Sequence, residues 1–291
     1  MPPSAPRPTS HRRVPIPTSF GGVASVAERS GVWLATWQCI FASLTGLVAV
    51  WAFHVAWARG LERAISNLPD EARIEDGRLH WPDDRPTILH QGPFLAVVVD
   101  PSGLREYGLA TDITLSLEAD RLGVRSLLGW FALRYPPTLD LSLARLDATG
   151  KVSAWRSPFY IGLGLATAAS LFAIWTGLSI VYGAVVWAAA AVLGRPIPFR
   201  VARRLAGASL LPGCLLMIAA MILYATRQVS LVGFLLTLPL HIVVGWVYCA
   251  GGWSRLQNPN SPPGDSRENP FVSEQPAADD PPARNPFHTD G

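Results

Sequence analysis

The sequence predicts a membrane α-helical bundle of four transmembrane helices joined to a small, mostly-β (α+β) extracytoplasmic domain. Three observations carry that expectation. One apolar segment, Val32–Trp57, stands alone, a long mixed stretch follows, and three further apolar segments crowd together up to Trp253. Crossing a bilayer takes roughly 20 apolar residues, and each segment is long enough. Only 15% of the 291 residues are charged while 49% are hydrophobic, whereas average chains carry about 25% charged residues. Turn signals and period-two alternation fill the stretch between the first and second segments, as strands require.

Residues 1–30 hold six prolines and four arginines. They offer too little apolar surface to offset the entropy of ordering, and read as a disordered cytoplasmic N-terminus. The first span occupies 31–59. It carries Trp33 and Trp37 near one end and Trp51 and Trp57 near the other, and tryptophan favours the headgroup layer. The segment far exceeds the 7–15 apolar residues of a cleaved signal, so it reads as a retained anchor. Its helix is expected to continue through Gly60–Asn67 and to end at Leu68-Pro69-Asp70.

Residues 60–156 form the expected domain. Asp76-Gly77 is a hairpin turn signal, because both central residues of a type I′ turn need positive φ. It would join Ala72–Glu75 to Arg78–Trp81. Phe94–Val99, closed by Asp100-Pro101-Ser102-Gly103, reads as a buried central strand. Asp112–Glu118 alternates with Ile113, Leu115 and Leu117 on one face, and Thr138–Leu143 with Leu139, Leu141 and Leu143. Leu127–Tyr135 fits either a short helix or a strand. All three cysteines, Cys39, Cys214 and Cys249, lie in the apolar segments, so this domain must fold without disulfides.

The second span is placed at 157–193. Ser157 is a good N-cap and Pro158 suits the first helical position. The stretch to Leu193 is about 36 residues, some 54 Å of helix against a core of about 30 Å. Its end must therefore project past the membrane or bend along it. A hairpin has only Gly177 and Gly183 to turn on. An Arg-rich cytoplasmic loop, 194–204, leads to the third span at 205–226 and the fourth at 229–250. Each of these contains a proline, Pro212 and Pro239, which neighbouring helices can accommodate. Thr226, Arg227 and Gln228 make a tight turn between them. Residues 254–291, proline-rich with six acidic residues and three arginines, read as a disordered cytoplasmic tail.

Orientation follows the arginines near span ends. Arg7, Arg12, Arg13 and Arg29 precede the first span, and Arg195, Arg200, Arg203 and Arg204 lie between the second and third. An even number of spans puts both groups on one side, expected to be the cytoplasm of a bacterium's inner membrane, together with both termini. Residues 60–156 then lie outside, with 14 acidic against 11 basic residues, a net charge of −3. Nucleic acid is excluded as a partner, since no soluble face concentrates basic residues.

Candidate functional residues are few. Gln38 and His241 fall at similar depth in the first and fourth spans, where ionisable groups are costly and often functional. They are expected to hydrogen-bond across helices. His80, Asp83, Asp84 and His90 are metal-capable, but closeness in sequence does not make ligands converge. His54 is expected near the outer end of the first span. Gly162, Gly164, Ala166 and Ala168 allow close helix approach, within the bundle or in a homo-oligomer. The tail repeats one motif as Asn269-Pro270-Phe271 and Asn285-Pro286-Phe287, a candidate docking peptide for protein partners. No nucleophile elbow, phosphate loop, zinc-protease helix or dinucleotide fingerprint is present, and no cofactor, metal or catalytic residue is expected.

Leu68-Pro69, Asp76-Gly77-Arg78-Leu79, Arg85-Pro86 and Val97-Val98-Val99-Asp100 resemble a family of bacterial integral membrane proteins that pair a few spans with an extracytoplasmic domain after the first. Some members are associated with maltodextrin utilisation, without an established activity. The resemblance implies the same layout and an inner-membrane address, and brings no catalytic residues. The functional expectation is a non-enzymatic sensing, binding or scaffolding protein. The alternative is a small transporter or transport accessory subunit.

Overall fold

In the computed structural model the described residues are 16–103 and 109–256. Residues through Arg255 belong to one compact unit, which contains both the sheets and the long helices. The second unit, Leu256–Gly291, lies outside the described residues except for Leu256.

Part of the N-terminal segment is folded, contrary to the expectation for 1–30. Helix α1 spans Phe20–Glu28, with the Gly22 N–H donating to Ser19 Oγ at 3.1 Å. Val23, Val26 and Ala27 are fully buried, and α1 packs on the helices labelled α5 and α6 below. A capping serine followed by apolar residues at i, i+3 and i+4 spacing is an amphipathic signal. The flanking prolines obscure it.

Helix α2 (Gly31–Phe53), a π-helical turn (His54–Ala58) and α3 (Arg59–Ser66) run continuously, as expected for the first span and its extension. Strands β1 (Arg73–Glu75) and β2 (Arg78–His80) form the expected hairpin, with Asp76 and Gly77 at φ 53° and 72°. Added to these are β3 (Thr87–Gln91), β4 (Leu95–Asp100), β5 (Ile113–Glu118), β6 (Arg121–Ser126), β7 (Gly129–Arg134) and β8 (Leu141–Ser142). One sheet has the order β2-β1-β8 and the other β3-β4-β5-β6-β7. Among the described residues only the β4–β5 pair is parallel. The segment Leu127–Tyr135 resolves as a turn plus β7.

The larger sheet packs one face on α3 and the small sheet. Leu89, Leu95, Val97 and Val99 meet Ala64, Ile74 and Leu79 there. Ile113, Leu115, Leu117, Leu139, Leu141 and Leu143 join them, so the alternation read in those segments does identify the core face. The opposite face of β4 and β5 is also buried, including Val98, Asp100, Ser116 and Glu118.

Among the described residues four helices are long and apolar enough to cross a membrane: Gly31–Ser66, one within α4 (Arg145–Val192), α5 (Phe199–Ala225) and α6 (Leu231–Trp253). Their bounds correct two expectations. Helix α4 begins at Arg145 rather than Ser157, with Pro158 in its interior. A proline there removes one N–H from the ladder. The early turns are anchored sideways, by Arg156 Nη1 to Glu62 Oε1 of α3 at 3.1 Å and by Ala148 on the sheet core. The helix thus projects beside the sheets, with no hairpin at Gly177 or Gly183. Helix α5 likewise begins at Phe199, so Arg200, Arg203 and Arg204 lie on a helix and not in a loop. Arg195 alone remains in the connection, its N–H donating to Ala190 O.

Long helices consecutive in the chain run antiparallel, and two of these pairs approach closely at glycine. A Cβ on Gly46 would lie 2.6 Å from Gly164 O, where α2 meets α4, and one on Gly213 would lie 2.7 Å from His241 O, where α5 meets α6. Helix α5 is central, with 67% of its most apolar window buried, against 6% for α6.

Candidate functional site

A recess of about 280 Å³ opens where the sheet region meets the helices. Its walls come from the π-helical turn, α3, the β3–β4 hairpin and the α5–α6 turn, and Arg59, Arg63, His90 and Arg227 line it. Each reaches it for a local reason. Arg59 and Arg63 are four residues apart and share one face of α3. The π turn immediately before them contributes one more residue than an α-turn and resets which face of α3 meets the sheet. Such insertions are frequent at functional sites. Gly60 and Ala64 are thereby turned inward and buried.

His90 owes its place to an irregularity in the β3–β4 register between Ile88 and His90. Its ring sits between two glycines. A Cβ on Gly60 or on Gly92 would come within 2.9 Å of His90 Nε2. Arg227 has left-handed backbone (φ 64°), which closes the α5–α6 turn. Its N–H donates to Tyr224 O at 2.9 Å, and that of Gln228 to Leu223 O at 2.8 Å. The Arg227 guanidinium lies 5.6 Å from the Phe94 ring centre, within cation–π range. Phe94 packs edge-on against Tyr224 at 5.1 Å, and the Tyr224 hydroxyl donates to Asp112 Oδ2 at 2.8 Å. Phe94, Tyr224 and Asp112 therefore tie the start of β4 and of β5 to the α5–α6 hairpin.

The lining includes three arginines, all exposed to solvent, and no carboxylate. Among the described residues none of Arg59, Arg63 and Arg227 has a carboxylate in ion-pair contact, and the nearby Glu62 is engaged by Arg156. Burial, then the Arg63 charge, holds the His90 imidazole below its usual pKa. Close positive charges left without counter-charge favour an anion. Guanidinium pairs specifically with planar or tetrahedral oxyanions through forked donors.

A second, apolar recess of about 200 Å³ adjoins the first. Ala52, Trp57, Leu163, Met221, Leu231 and Phe234 help to line it, so α2, α4, α5 and α6 all contribute, and Ala56 lines both recesses.

The residues singled out in the sequence lie elsewhere. Gln38 is buried on α2 at Gly207 and Ser179, and its Nε2 has no hydrogen-bond partner among the described residues. His241 faces Gly213, and its Nδ1 lies 3.0 Å from Leu238 O of its own helix. The expected Gln38–His241 bond is absent. The two side chains meet α5 at positions six residues apart, about 9 Å along the helix. His54 Nδ1 contacts Tyr160 Oη at 3.0 Å. His80 lines a different recess from His90, and among the described residues no three metal-capable side chains converge. The tail motifs Asn269-Pro270-Phe271 and Asn285-Pro286-Phe287 lie outside the described residues. Cys39, Cys214 and Cys249 are unpaired.

The cationic recess was not anticipated: Arg59, Arg63 and Arg227 come from the sheet-bearing ends of helices that are far apart in sequence. No family model, curated protein or solved structure matches the chain.

Proposed function

We propose that the chain is a four-span protein of the bacterial inner membrane. Its sheet domain lies outside the cytoplasm, and the junction between domain and helices binds an anion without transforming it. The observation that carries this reading is the cluster of Arg59, Arg63 and Arg227 around one recess without a neutralising carboxylate. No hydroxyl or thiol nucleophile lines it. Its donors can hold and orient an oxyanion. Occupancy would bridge α3 and β3 to the α5–α6 turn, so that ligand binding stiffens the domain against the helices, which is what a sensor requires.

The orientation rests on charge. Arg29, Arg195, Arg200, Arg203, Arg204 and Arg255 flank the ends away from the sheets, and such residues are retained on the cytoplasmic side. The tail, with its two Asn-Pro-Phe motifs, would then be available to cytoplasmic protein partners. The transport alternative loses its main support with the separation of Gln38 from His241.

The test is thermal unfolding of the full chain in detergent, with and without sulfate. Sulfate should raise the Tm of the wild type. It should leave unchanged a variant carrying Arg59→Gln, Arg63→Gln and Arg227→Gln, provided that this variant unfolds cooperatively on its own. An equal rise in both proteins would remove the recess as the site.

A further inference from the structure

The cationic recess and the apolar recess share a wall. Ala56 faces both, and the π-helical turn that contains it separates a chamber lined by three guanidinium groups from one lined almost entirely by hydrocarbon. The apolar chamber is built by all four long helices, and its mouth is therefore at the depth of the membrane's edge if those helices span it. A charged chamber and a hydrocarbon chamber that meet at one residue match the two halves of an amphiphile. Neither half alone explains both. A small free anion has no use for the apolar side, and a neutral lipid none for the arginines.

We propose that the joint site takes an anionic lipid with a terminal phosphate, with that phosphate among Arg59, Arg63 and Arg227 and the start of one acyl chain in the recess lined by Ala52, Leu163, Met221 and Phe234. This rests on the anion-binding reading above and names its ligand. The aromatic chain Arg227–Phe94–Tyr224–Phe234 joins the two chambers. The guanidinium lies over Phe94, Phe94 packs on Tyr224, and Tyr224 stacks on Phe234 at 5.5 Å between centroids. Arg227 and Phe94 line the cationic chamber and Tyr224 and Phe234 the apolar one, so the ring contacts run from one chamber to the other. The phosphate could equally come from a soluble ion, and the apolar chamber decides between the sources. Free phosphate would gain nothing from it, whereas a lipid would gain with each methylene buried.

The experiment is a set of titrations on the full chain in detergent, read by the shift in Tm. The ligands are short-chain phosphatidic acid, short-chain phosphatidylcholine and inorganic phosphate, and the proteins are the wild type, Ala52→Phe and Arg63→Gln/Arg227→Gln. Phosphatidic acid should bind the wild type at least about a hundredfold more tightly than inorganic phosphate, a difference that a few buried methylenes supply. Phosphatidylcholine, whose ammonium opposes the arginines, should bind weakly. Ala52→Phe should reduce the affinity for phosphatidic acid about tenfold by occupying the recess, and leave that for inorganic phosphate unchanged. The arginine variant should lose both anions. Equal affinity for phosphatidic acid and inorganic phosphate would overturn the lipid inference while leaving the anion site intact. Phosphatidic acid binding that survives in the arginine variant would overturn both. If Ala52→Phe fails to unfold cooperatively, Met221→Phe tests the same recess from α5.

Discussion

In the core of the sheet region the apolar residues point inward, while the β6–β7 edge leaves Leu128, Trp130, Phe131 and Leu133 exposed. Leu89, Leu95, Val97 and Val99 are almost wholly covered, and the strands leave charged residues such as Arg73, Arg78 and Arg125 at the surface. In the long helices the exposed residues are themselves apolar. Leu47, Ile161, Leu165, Val181, Leu236 and Val247 are each more than half exposed. What α5 buries is mostly small, including Ala202, Ala206, Gly207, Ala208 and Ser209. This is the pattern that water around the sheets and hydrocarbon around the helices would favour. Water drives large side chains into a core, whereas in hydrocarbon close backbone approach is what holds helices together.

The largest expected effect tests that contrast directly. Leu89→Ala, in the sheet core, should destabilise the chain by about 2–4 kcal/mol. Leu236→Ala, on the exposed face of α6, should change stability by less than about 0.5 kcal/mol in detergent or bilayer. Both are read from unfolding in the same detergent. A comparable loss for Leu236→Ala would mean that protein and not lipid covers this face, and cross-linking should then show a homo-oligomer through α6.

Next in size is the glycine contact. Gly46→Val places a side chain against the Gly164 carbonyl of α4, where even a Cβ would be 2.6 Å away. The helices must separate, at a cost of about 1–3 kcal/mol. Gly162→Val, with nothing within 4 Å of its Cβ position, serves as the control in the same apolar setting. It should stay level or gain a few tenths of a kcal/mol from helix propensity. An equal loss in both variants would show that close approach at Gly46 does not govern the interface.

The two regions also differ in how readily they are read from sequence. The spans are legible because roughly 20 apolar residues cannot easily mean anything else, and the Asp76-Gly77 hairpin because few dipeptides tolerate two positive φ values. Both signals are local. The start of α4 was misread for an equally local reason: Ser157-Pro158 has the chemistry of a helix start, but α3 and the sheet core support a helix that begins earlier. Helix α1 was hidden by prolines beside it. The cationic recess needed three-dimensional information. Arg59 and Arg227 are far apart in sequence, and nothing in their local patterns shows that the π turn and the hairpin turn bring them to one cavity. Gln38 and His241 attracted attention because polar residues are rare in spans, yet rarity does not make them partners.

Gln38 offers a smaller test. Its buried Nε2 lacks a partner among the described residues, and an unsatisfied buried donor costs about 1–3 kcal/mol. Gln38→Met keeps most of the volume and removes the amide. Stability in detergent should stay level or rise by about 1 kcal/mol. A loss of more than about 2 kcal/mol would show that the amide is satisfied, by water or by a ligand, and would return Gln38 to the candidate functional residues.

The smallest effect concerns pH and lies at the boundary between the two regions. His90 has a lowered pKa in the folded chain, first from burial and then from Arg63. The unfolded chain therefore takes up the proton first as pH falls. The stability that depends on a neutral His90 is present above the ordinary histidine pKa and is lost as pH falls through the lowered value. An anion in the recess reverses part of this. It opposes the Arg63 charge and favours the imidazolium, so binding takes up a proton and affinity strengthens with acidity. Guanidinium groups do not lose their proton in this window, and ordinary carboxylates titrate below about pH 5. Sulfate is the suitable probe because it does not titrate in this window. Its affinity, read by Tm shift, should rise by a few fold between about pH 7.5 and pH 5.5, and His90→Gln should flatten that rise while retaining most of the affinity at the upper end. A wild-type profile already flat would place the bound anion away from His90, nearer Arg59 and Arg227 at the mouth. A profile that falls with acidity would mean that the proton on His90 costs the folded junction more than the anion returns.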